Sequence, residues 1–324
     1  MNNRLRFVST LFACGALVAG SMCSHAAVFP ARAVRLIVGF APGGSTDASA
    51  RVVARGLSEK WGQPVVVDNR AGGDSTIAAG MVAHATPDGL TLLWTSNAHT
   101  ITASQSKQSY DAIRSFAPIT LMGYVPNVLL INPSVVSANS ARELIALAKS
   151  RPGQLNFGSS GTGSPTFLEM LLLMNKAGID MVNITYKGGG PAVAALLGGE
   201  TQLMFSTVTT SVGQVKAGKL KALAITGRVR SPLIPDVPTV AEATGLSGFE
   251  ETGAWNGAMA PAGTPGQVMN LLHKDFVAVI RSSSAQRTLS DMGYITLANS
   301  SAEFAQTLNN DISRWSVLLK KLNA

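Results

Sequence analysis

Cysteine is almost absent from this sequence, and both cysteines, Cys14 and Cys23, lie near the start of the 324 residues. The segment around them has a basic start, an apolar stretch and a small-x-small cleavage site at Ser24-His25-Ala26. We therefore predict that residues 1–26 are a signal peptide cleaved near Ala26, and that the mature chain is periplasmic. An uncleaved anchor is the alternative. The mature chain would contain no disulfide and no thiolate metal site.

Histidine and catalytic motifs are scarce as well. Beyond residue 26 the only histidines are His84, His99 and His273, whose spacing does not match a metal site. The stretch Gly158–Thr162 lacks the final glycine of a G-x-S-x-G nucleophile turn, and no glycine loop ends in G-K-[ST]. These absences disfavour hydrolases, nucleotide-dependent enzymes and metalloenzymes. We predict no catalytic residue, no metal and no cofactor.

Charge of either sign is limited, at 14% of residues, with a formal net charge of +8. Removal of Arg4 and Arg6 with the signal peptide reduces this charge to +6. The basic residues form no cluster along the chain, so we expect no nucleic-acid binding. A mildly positive protein does favour encounters with an anionic solute.

Short apolar runs alternate with helical patterns, which is typical of an α/β fold with mainly parallel sheets. The run Val34–Phe40 is nearly continuous in apolar residues, as expected for a strand buried on both faces. Further strands are predicted at Pro64–Asn69, Leu90–Ser96, Ile119–Tyr124, Val128–Asn132, Leu155–Ser159, Asn183–Tyr186, Leu203–Thr207, Leu220–Thr226 and Gly253–Pro261. Helices are predicted at Thr46–Trp61, Ser75–Ala85, Ala141–Ser150, Pro165–Ala177, Pro191–Gly198, Gly266–Arg281, Ser284–Met292 and Ala302–Leu322.

A glycine-containing loop, Ala41–Asp47, connects the first strand to the first helix. Its two glycines allow a tight turn and a close approach of a ligand to the backbone. The following helix start offers unpaired N–H groups and a positive dipole end, where a carboxylate can bind. In the alternative interpretation, Ser45, Thr46 or Asp47 only caps the helix.

Four more loops of this kind follow strands elsewhere in the sequence. Ligands of open parallel sheets bind at the carboxyl ends of strands, so we predict a cleft lined by backbone amides and hydroxyl groups. Trp255 could either form part of the wall of this cleft or pack in the hinge. The additional loops are Asn69–Thr76, Ser96–Ala98, Phe157–Ser164 and Tyr186–Gly190.

Five separated blocks resemble the tripartite tricarboxylate transporter solute receptors, also called the Bordetella uptake gene (Bug) family. They are Val34–Asp47, Val65–Gly73, Tyr186–Gly199, Ser231–Ala243 and Trp255–Pro265. The resemblance implies an α/β periplasmic-binding-protein fold of type II, with two lobes, mainly parallel sheets and two hinge crossings. Such lobes close over a ligand.

On this pattern, the first lobe comprises residues 27–125 and 236–324, and the second comprises residues 126–235. The crossings are expected near Val125–Asn127 and Thr226–Pro235.

The resemblance also implies that main-chain groups and bridging waters of the first lobe hold a ligand carboxylate. The first-lobe binding residues would be Phe40, Pro42, Gly43, Gly44, Ser45, Asp47, Ser96 and Asn97. The second lobe would close over the ligand with Ser159, Ser160, Thr162, Gly163, Gly188, Ser206 and Thr207.

The function implied by this resemblance is capture of a small organic carboxylate and its delivery to a two-part inner-membrane permease. The alternatives are a ligand sensor that signals to a membrane protein and an exported enzyme. We expect a monomer. The sequence leaves the identity of the carboxylate open.

Two residues depart from the family pattern. Many members carry an aspartate at the position of Ser206, where it can contact a ligand ammonium group, so we expect a plain carboxylate to bind better than an amino acid. Asp74 puts an acid near the rim of the cleft and leaves the role of the second loop open.

Overall fold

The computed structural model describes residues 29–105, 108–250 and 252–322, so the expected signal peptide lies outside the described residues. Among the helices in these ranges, none combines the length and apolar character needed to cross a bilayer. The strands are β1 (Val34–Val38), β2 (Val65–Asn69), β3 (Thr91–Ser96), β4 (Phe116–Val125), β5 (Asn127–Ile131), β6 (Asn156–Ser159), β7 (Val182–Thr185), β8 (Leu203–Thr207), β9 (Lys221–Ile225), β10 (Ala254–Pro261) and β11 (Ile295–Thr296).

Helices connect most of these strands, and a 3₁₀ turn at Gly73–Ser75 precedes the second helix. The α-helices are α1 (Ser45–Trp61), α2 (Thr76–Ala83), α3 (Ala98–Gln105), α4 (Ala141–Ser150), α5 (Pro165–Ala177), α6 (Gly189–Gly198), α7 (Val208–Lys216), α8 (Val240–Thr244), α9 (Gly266–Ile280), α10 (Ser283–Asp291) and α11 (Ser301–Leu322).

The first lobe is built on a six-stranded sheet in the order β11-β4-β10-β3-β1-β2. Side chains of β1 alternate between its two faces, as the pleat requires. On one face, Leu36 packs with Leu57 of α1 and Phe276 of α9 in one apolar cluster. On the other face, Ile37 belongs to a cluster with Phe304 of α11. Both faces are buried, which explains the continuous apolar run of β1.

The second lobe contains a five-stranded sheet in the order β7-β6-β8-β5-β9. One face, with Phe157 and Phe205, is covered by α4 and α5. The opposite face, with Leu130 and Met204, packs against Leu196 of α6. The prediction of two α/β lobes is therefore confirmed.

Each sheet is mainly parallel in strand direction. Strands β1 and β2 are parallel, as are β1 and β3, whereas β10 is antiparallel to both β3 and β4. In the second sheet, β5 is antiparallel to both β8 and β9. Strands β5 and β10 are antiparallel to their neighbours. Each of them is the first strand after the chain crosses from one lobe to the other. The short β11 also pairs antiparallel, with β4.

The chain enters the second lobe directly, because a single residue, Pro126, separates β4 from β5. Its return path differs from the expected crossing at Thr226–Pro235. Val240 and Phe249 belong to the core of the second lobe, and Arg142 Nε donates to the Ala243 carbonyl at 2.9 Å. We therefore propose that the second lobe extends from residue 126 to about residue 249, rather than ending at residue 235. Burial of Val240 and Phe249 in the core of this lobe is the physical reason.

Candidate functional site

A cleft lies between the lobes at the carboxyl ends of β1, β3, β6 and β8. It leaves about 40 Å³ that the centre of a water molecule can occupy, which corresponds to roughly three waters. Its first-lobe wall consists of Phe40, Gly44, Ser45, Thr46, Ser96 and Ala254. Its second-lobe wall consists of Ser160, Ser164, Pro165, Thr166, Gly189, Met204, Ser206 and Thr207.

None of the described lining residues of the cleft carries a formal charge. Eight of these residues are serines or threonines, whose hydroxyls both donate and accept hydrogen bonds. The walls therefore offer hydroxyl groups and backbone amides as hydrogen-bonding groups.

Four helices begin at this cleft. They are α1, which starts at Ser45, α5 at Pro165, α6 at Gly189 and α7 at Val208. The N-cap residues of α1, α6 and α7 make no side-chain capping hydrogen bond, whereas Ser164 caps α5. A helix start without a side-chain cap can leave N–H groups for a ligand, although Val208 N of α7 already donates to the Pro126 carbonyl at 3.1 Å. The helix dipoles add positive potential. Together these helix ends favour an anion without any cationic side chain.

The Asp47 carboxylate holds the glycine loop of the first lobe. It accepts hydrogen bonds from Gly43 N at 3.1 Å, from Asn69 Nδ2 at 3.0 Å and from Arg51 Nε at 3.0 Å. Burial raises the pKa of Asp47, but the bonds from Arg51, Gly43 and Asn69 together outweigh it and lower the pKa. Asp47 is thus ionised and bonded within its own lobe, and it does not line the cleft.

A buried polar network positions Thr46 at the cleft wall. Asn256 Nδ2 donates to Thr46 Oγ1 at 3.2 Å, and Tyr294 Oη donates to Asn256 Oδ1 at 2.6 Å. Asn256 has no exposed surface, so these bonds compensate for the loss of water around its amide. The network joins α1 to β10, the strand that re-enters the first lobe.

The lobes contact each other at the rim of the cleft. Asp74 of the first lobe accepts hydrogen bonds from Thr162 Oγ1 and Gly163 N of the second lobe, both at 2.8 Å. On another side of the cleft, Ala41 N donates to the Lys187 carbonyl at 3.0 Å. We call the contacts of Asp74 with Thr162 and Gly163 the interlobe bridge. The structure is therefore that of a closed pair of lobes.

A buried carboxylate occupies the hinge. Glu169 of α5 accepts from Asn127 Nδ2 at 2.9 Å and 2.8 Å through its two oxygens, and Asn127 begins the first strand after the crossing. Burial raises the pKa of Glu169 to about 8, although hydrogen bonds from Asn127 and Thr252 oppose the rise. A largely protonated acid therefore joins both crossings at neutral pH.

Seven of the fifteen predicted binding residues line the cleft: Phe40, Gly44, Ser45, Ser96, Ser160, Ser206 and Thr207. The other eight do not: Pro42, Gly43, Asp47, Asn97, Ser159, Thr162, Gly163 and Gly188. Seven further lining residues were not predicted: Thr46, Ser164, Pro165, Thr166, Gly189, Met204 and Ala254. Met204 could have been predicted as a lining residue, because it lies two residues before Ser206 on the same face of β8.

The eight residues away from the cleft have other positions. Thr162 and Gly163 form the interlobe bridge, and a Cβ on Gly188 would lie 3.3 Å from Ala41 N. Asn97, which directly follows β3, donates to the Gly253 carbonyl at 2.8 Å on the hinge side of the sheet. Ser159 is fully buried, and its hydroxyl has no partner.

Metal-binding groups do not assemble anywhere in residues 29–105, 108–250 and 252–322, where no cluster of three His, Cys, Asp or Glu occurs. His99 is fully buried, its Nε2 lies 2.8 Å from the Ala112 carbonyl, and its ring stacks on Tyr110. Burial lowers the pKa of His99 to about 4, so the ring is neutral at physiological pH. His99 is a packing residue outside the cleft.

Two α/β lobes joined by two crossings, with an uncharged anion-favouring cleft between them, define the periplasmic-binding-protein class of solute receptors. A family model described as "Tripartite tricarboxylate transporter family receptor" matches residues 49–324. The chain belongs to this family, in which the Bug proteins are relatives. The protein BugT of Bordetella pertussis is 34% identical over 301 residues, covering 91% of this chain and 91% of BugT.

Solved structures of relatives have the same fold. Rpa4515 of Rhodopseudomonas palustris, solved with adipate, has a TM-score of 0.87 and 32% identity, covering 91% of this chain and 98% of that one. MatC of the same organism, solved with bound malate, has a TM-score of 0.85 and 33% identity, covering 90% and 99% of the two chains. The family prediction is confirmed, and the coarse function of a solute-binding receptor with it.

Proposed function

We propose that this receptor captures a small dicarboxylate in the interlobe cleft and delivers it to a two-part inner-membrane permease. The observation that carries the proposal is the meeting of four helix N-termini, three of them uncapped, in a cleft without formal charge. An anion gains from the free N–H groups and the helix dipoles there.

The binding residues we propose are the lining residues of the cleft. One carboxylate binds at the Gly44–Thr46 start of α1, with Ser96 beside it. Ser160, Ser206 and Thr207 contact the remainder of the ligand from the second lobe. Hydroxyl groups and bridging waters complete the hydrogen bonds, since a bridged bond is nearly as favourable as a direct one.

The ligand class follows from the cleft chemistry and from the relatives. Four- to six-carbon dicarboxylic acids are the first candidates, because relatives were solved with malate and with adipate. The cleft in this structure has room for only about three waters, less than such a ligand needs, so the lobes part to admit it and close around it less far than they do here. An amino acid binds less well, because Ser206 offers no charge to its ammonium group.

The cleft brings together no nucleophile with a base, and we propose that the ligand leaves unchanged. Delivery to a permease rests on the family to which the chain belongs. Export and a periplasmic location follow from the same membership and from the predicted signal peptide.

Isothermal titration calorimetry tests the proposal directly. The mature protein is unfolded in guanidinium, dialysed to remove any co-purified ligand, refolded, and titrated with succinate, malate and adipate. We expect one ligand per chain. The matched controls are succinamide and the dimethyl ester of succinate, which keep the carbon chain but lose the charges.

Binding of the esters as tightly as the acids would contradict recognition by helix ends. Chromatography of the ligand after incubation tests for turnover. Chemical conversion of the acid would contradict the receptor function and favour an enzyme.

A further inference from the structure

A second and larger cavity lies at the hinge, where about 660 Å³ is open to the centre of a water molecule. This volume falls within the range of small-molecule sites. The walls come from both crossings and from both lobes. They include Val125 and Pro126 at the first crossing, Thr252 and Gly253 at the second, and the segment from Thr226 to Pro232. We call this space the rear cavity.

The rear cavity and the cleft lie on opposite sides of the strands that connect the lobes. Ser96 lines the cleft, whereas the next residue, Asn97, lines the rear cavity. Similarly, Ala254 lines the cleft, whereas its neighbours Gly253 and Trp255 line the rear cavity. Successive side chains of an extended strand point to opposite faces, so these strands form a partition between the two spaces.

Rotation of the lobes about the hinge changes the cleft and the rear cavity in opposite directions. When the lobes part at the cleft, the walls behind the hinge move towards each other. Tyr294 and Trp315 of the first lobe and Arg230 and Pro232, which follow the last strand of the second lobe, face the same rear cavity. A molecule that occupies the rear cavity would therefore resist opening of the cleft.

Aromatic and apolar side chains dominate the walls of the rear cavity. Trp255 and Trp315 are almost completely buried, at 2% and 3% exposure. By contrast, Val229 and Ile295 are 72% and 63% exposed, and Tyr124 is also exposed. Exposed apolar side chains around an aromatic cavity are typical of a binding site for an apolar group.

The described residues of the same walls include three arginines, Arg228, Arg230 and Arg314, and two acids, Glu250 and Asp311. Both acids accept hydrogen bonds from the protein: Asp311 Oδ2 from Trp255 Nε1 at 2.7 Å, and Glu250 Oε2 from Gly248 N at 2.6 Å. Arg230 pairs with Glu242 at 3.0 Å, but a guanidinium has five N–H donors and can bind a second anion. A paired guanidinium in this wall can therefore also donate to an acidic group on the ligand.

We propose that the rear cavity is a second ligand site for a small amphipathic anion, meaning an aromatic or aliphatic body with one acidic group. Its occupancy holds the lobes closed. The site is separate from the cleft and therefore acts on cleft affinity through the hinge.

The probe for this site is 8-anilinonaphthalene-1-sulfonate, which has an aromatic body and a single sulfonate. Its fluorescence is titrated with the folded mature protein in the absence of any dicarboxylate. We expect saturable binding of one probe, and binding at least tenfold weaker in Val229→Glu, which places a negative charge beside the cavity. Val317→Glu is the matched control, because Val317 is a similarly exposed valine at 55%, and it should bind like the wild type.

A second variant, Ile295→Glu, repeats the test from the other lobe. A third, Ser206→Asp, places a negative charge in the cleft without a bulky side chain and should leave the probe affinity unchanged. Loss of probe binding in Ser206→Asp, with wild-type binding in Val229→Glu, would place the probe in the cleft and overturn the proposal. Absence of saturable binding would overturn it equally.

Small-angle X-ray scattering tests the effect on closure without a cleft ligand. We expect the probe to reduce the radius of gyration of the wild type and of Val317→Glu, but not that of Val229→Glu. An unchanged radius of gyration at saturating probe would refute the coupling. Because no dicarboxylate is used, these results are independent of the proposed cleft ligand.

Discussion

Asp74 of the first lobe and Thr162 of the second lobe are joined across the rim of the cleft by a hydrogen bond of 2.8 Å. The same carboxylate oxygen, Oδ2, accepts a second bond of 2.8 Å from Gly163 N. Asp74 has a φ of 51°, in the left-handed region that aspartate and asparagine tolerate better than most residues. The acid whose role the sequence left open therefore connects the two lobes in the closed state.

Replacement of this acid weakens ligand binding. In Asp74→Asn the backbone conformation is retained, but one carboxylate oxygen becomes an NH₂ group and the charge is lost. We expect the Kd of the dicarboxylate to rise about tenfold, equivalent to about 1.4 kcal/mol, because closure loses charge-assisted bonds. Calorimetry measures the Kd. Asp236→Asn, at an exposed site of the second lobe, is the control, and equal Kd values for the two variants would show that the bridge does not contribute.

A methyl group added at Gly163 should prevent the lobes from closing fully. A Cβ on Gly163 would lie 2.3 Å from Thr102 Cγ2 and 3.0 Å from Asp74 Cβ, both on the opposite lobe. Gly163 has no positive φ, so Gly163→Ala is not strained within its own lobe. We expect unchanged thermal stability of the ligand-free protein and a loss of affinity of about a hundredfold.

The matched control is Gly198→Ala, because a Cβ there meets no atom within 4 Å. Small-angle scattering should give a larger radius of gyration for Gly163→Ala than for Gly198→Ala in saturating ligand. If both variants close to the same radius, the contact at Gly163 does not limit closure.

Glu169 should make the folded state less stable as the pH rises. Its carboxyl has an ordinary pKa of 4.5, and burial raises the pKa to about 8 in the folded protein. Between these values the unfolded chain loses a proton that the folded protein keeps. The contribution of Glu169 to stability is therefore greatest below pH 4.5 and falls, by up to about 1.4 kcal/mol per pH unit, until about pH 8.

Glu169→Gln removes this titration and keeps the neutral shape. We expect its free energy of unfolding in urea to exceed that of the wild type at pH 8, and the difference to shrink at pH 5. Glu59→Gln, at an exposed position of α1, should follow the wild type at both values. A difference between Glu169→Gln and wild type that does not vary with pH would contradict the assignment.

A charge at position 206 should change ligand preference. Ser206 lines the cleft with only 1% exposure, so Ser206→Asp places a carboxylate beside the bound acid. We expect succinate to bind at least tenfold more weakly, through repulsion at low effective dielectric, and aspartate to gain relative to succinate. Calorimetry with both ligands measures the ratio. Ser134→Asp, an exposed position of the second lobe, is the control, and an unchanged ratio in Ser206→Asp would argue against Ser206 as a specificity residue.

The described strands other than the short β11 and most helices were predictable because burial leaves a clear pattern. Val34–Val38 is covered on both faces, and this forces the apolar run by which it was recognised. Helices α3, α7 and α8 were missed because they are short and contain β-branched residues of weak helix propensity, Thr and Ile in α3 and Thr and Val in α7 and α8. Tertiary contacts stabilise α3 instead, since Ile101 packs with Trp315 of α11.

Four of the five predicted loops supply residues of the cleft wall, but only about half of the individual lining residues were predicted. Nothing in the sequence distinguishes Ser45, which lines the cleft, from Asp47, which holds the loop through Gly43 and Asn69. Side-chain direction at a helix start depends on the angle at which the helix leaves the sheet. The sequence also could not predict that Thr162 is the hydrogen-bond partner of Asp74, because the two residues lie on different lobes.

The fourteen described residues that line the cleft include no side chain that gains or loses a proton near neutral pH. A receptor with a histidine or an acid in its cleft would change its affinity as its surroundings acidify. In this protein, the walls of the cleft present the same hydrogen-bonding groups from mildly acidic to mildly basic medium. The pH dependence of ligand binding in the cleft would then follow the ionisation of the solute rather than that of the cleft walls.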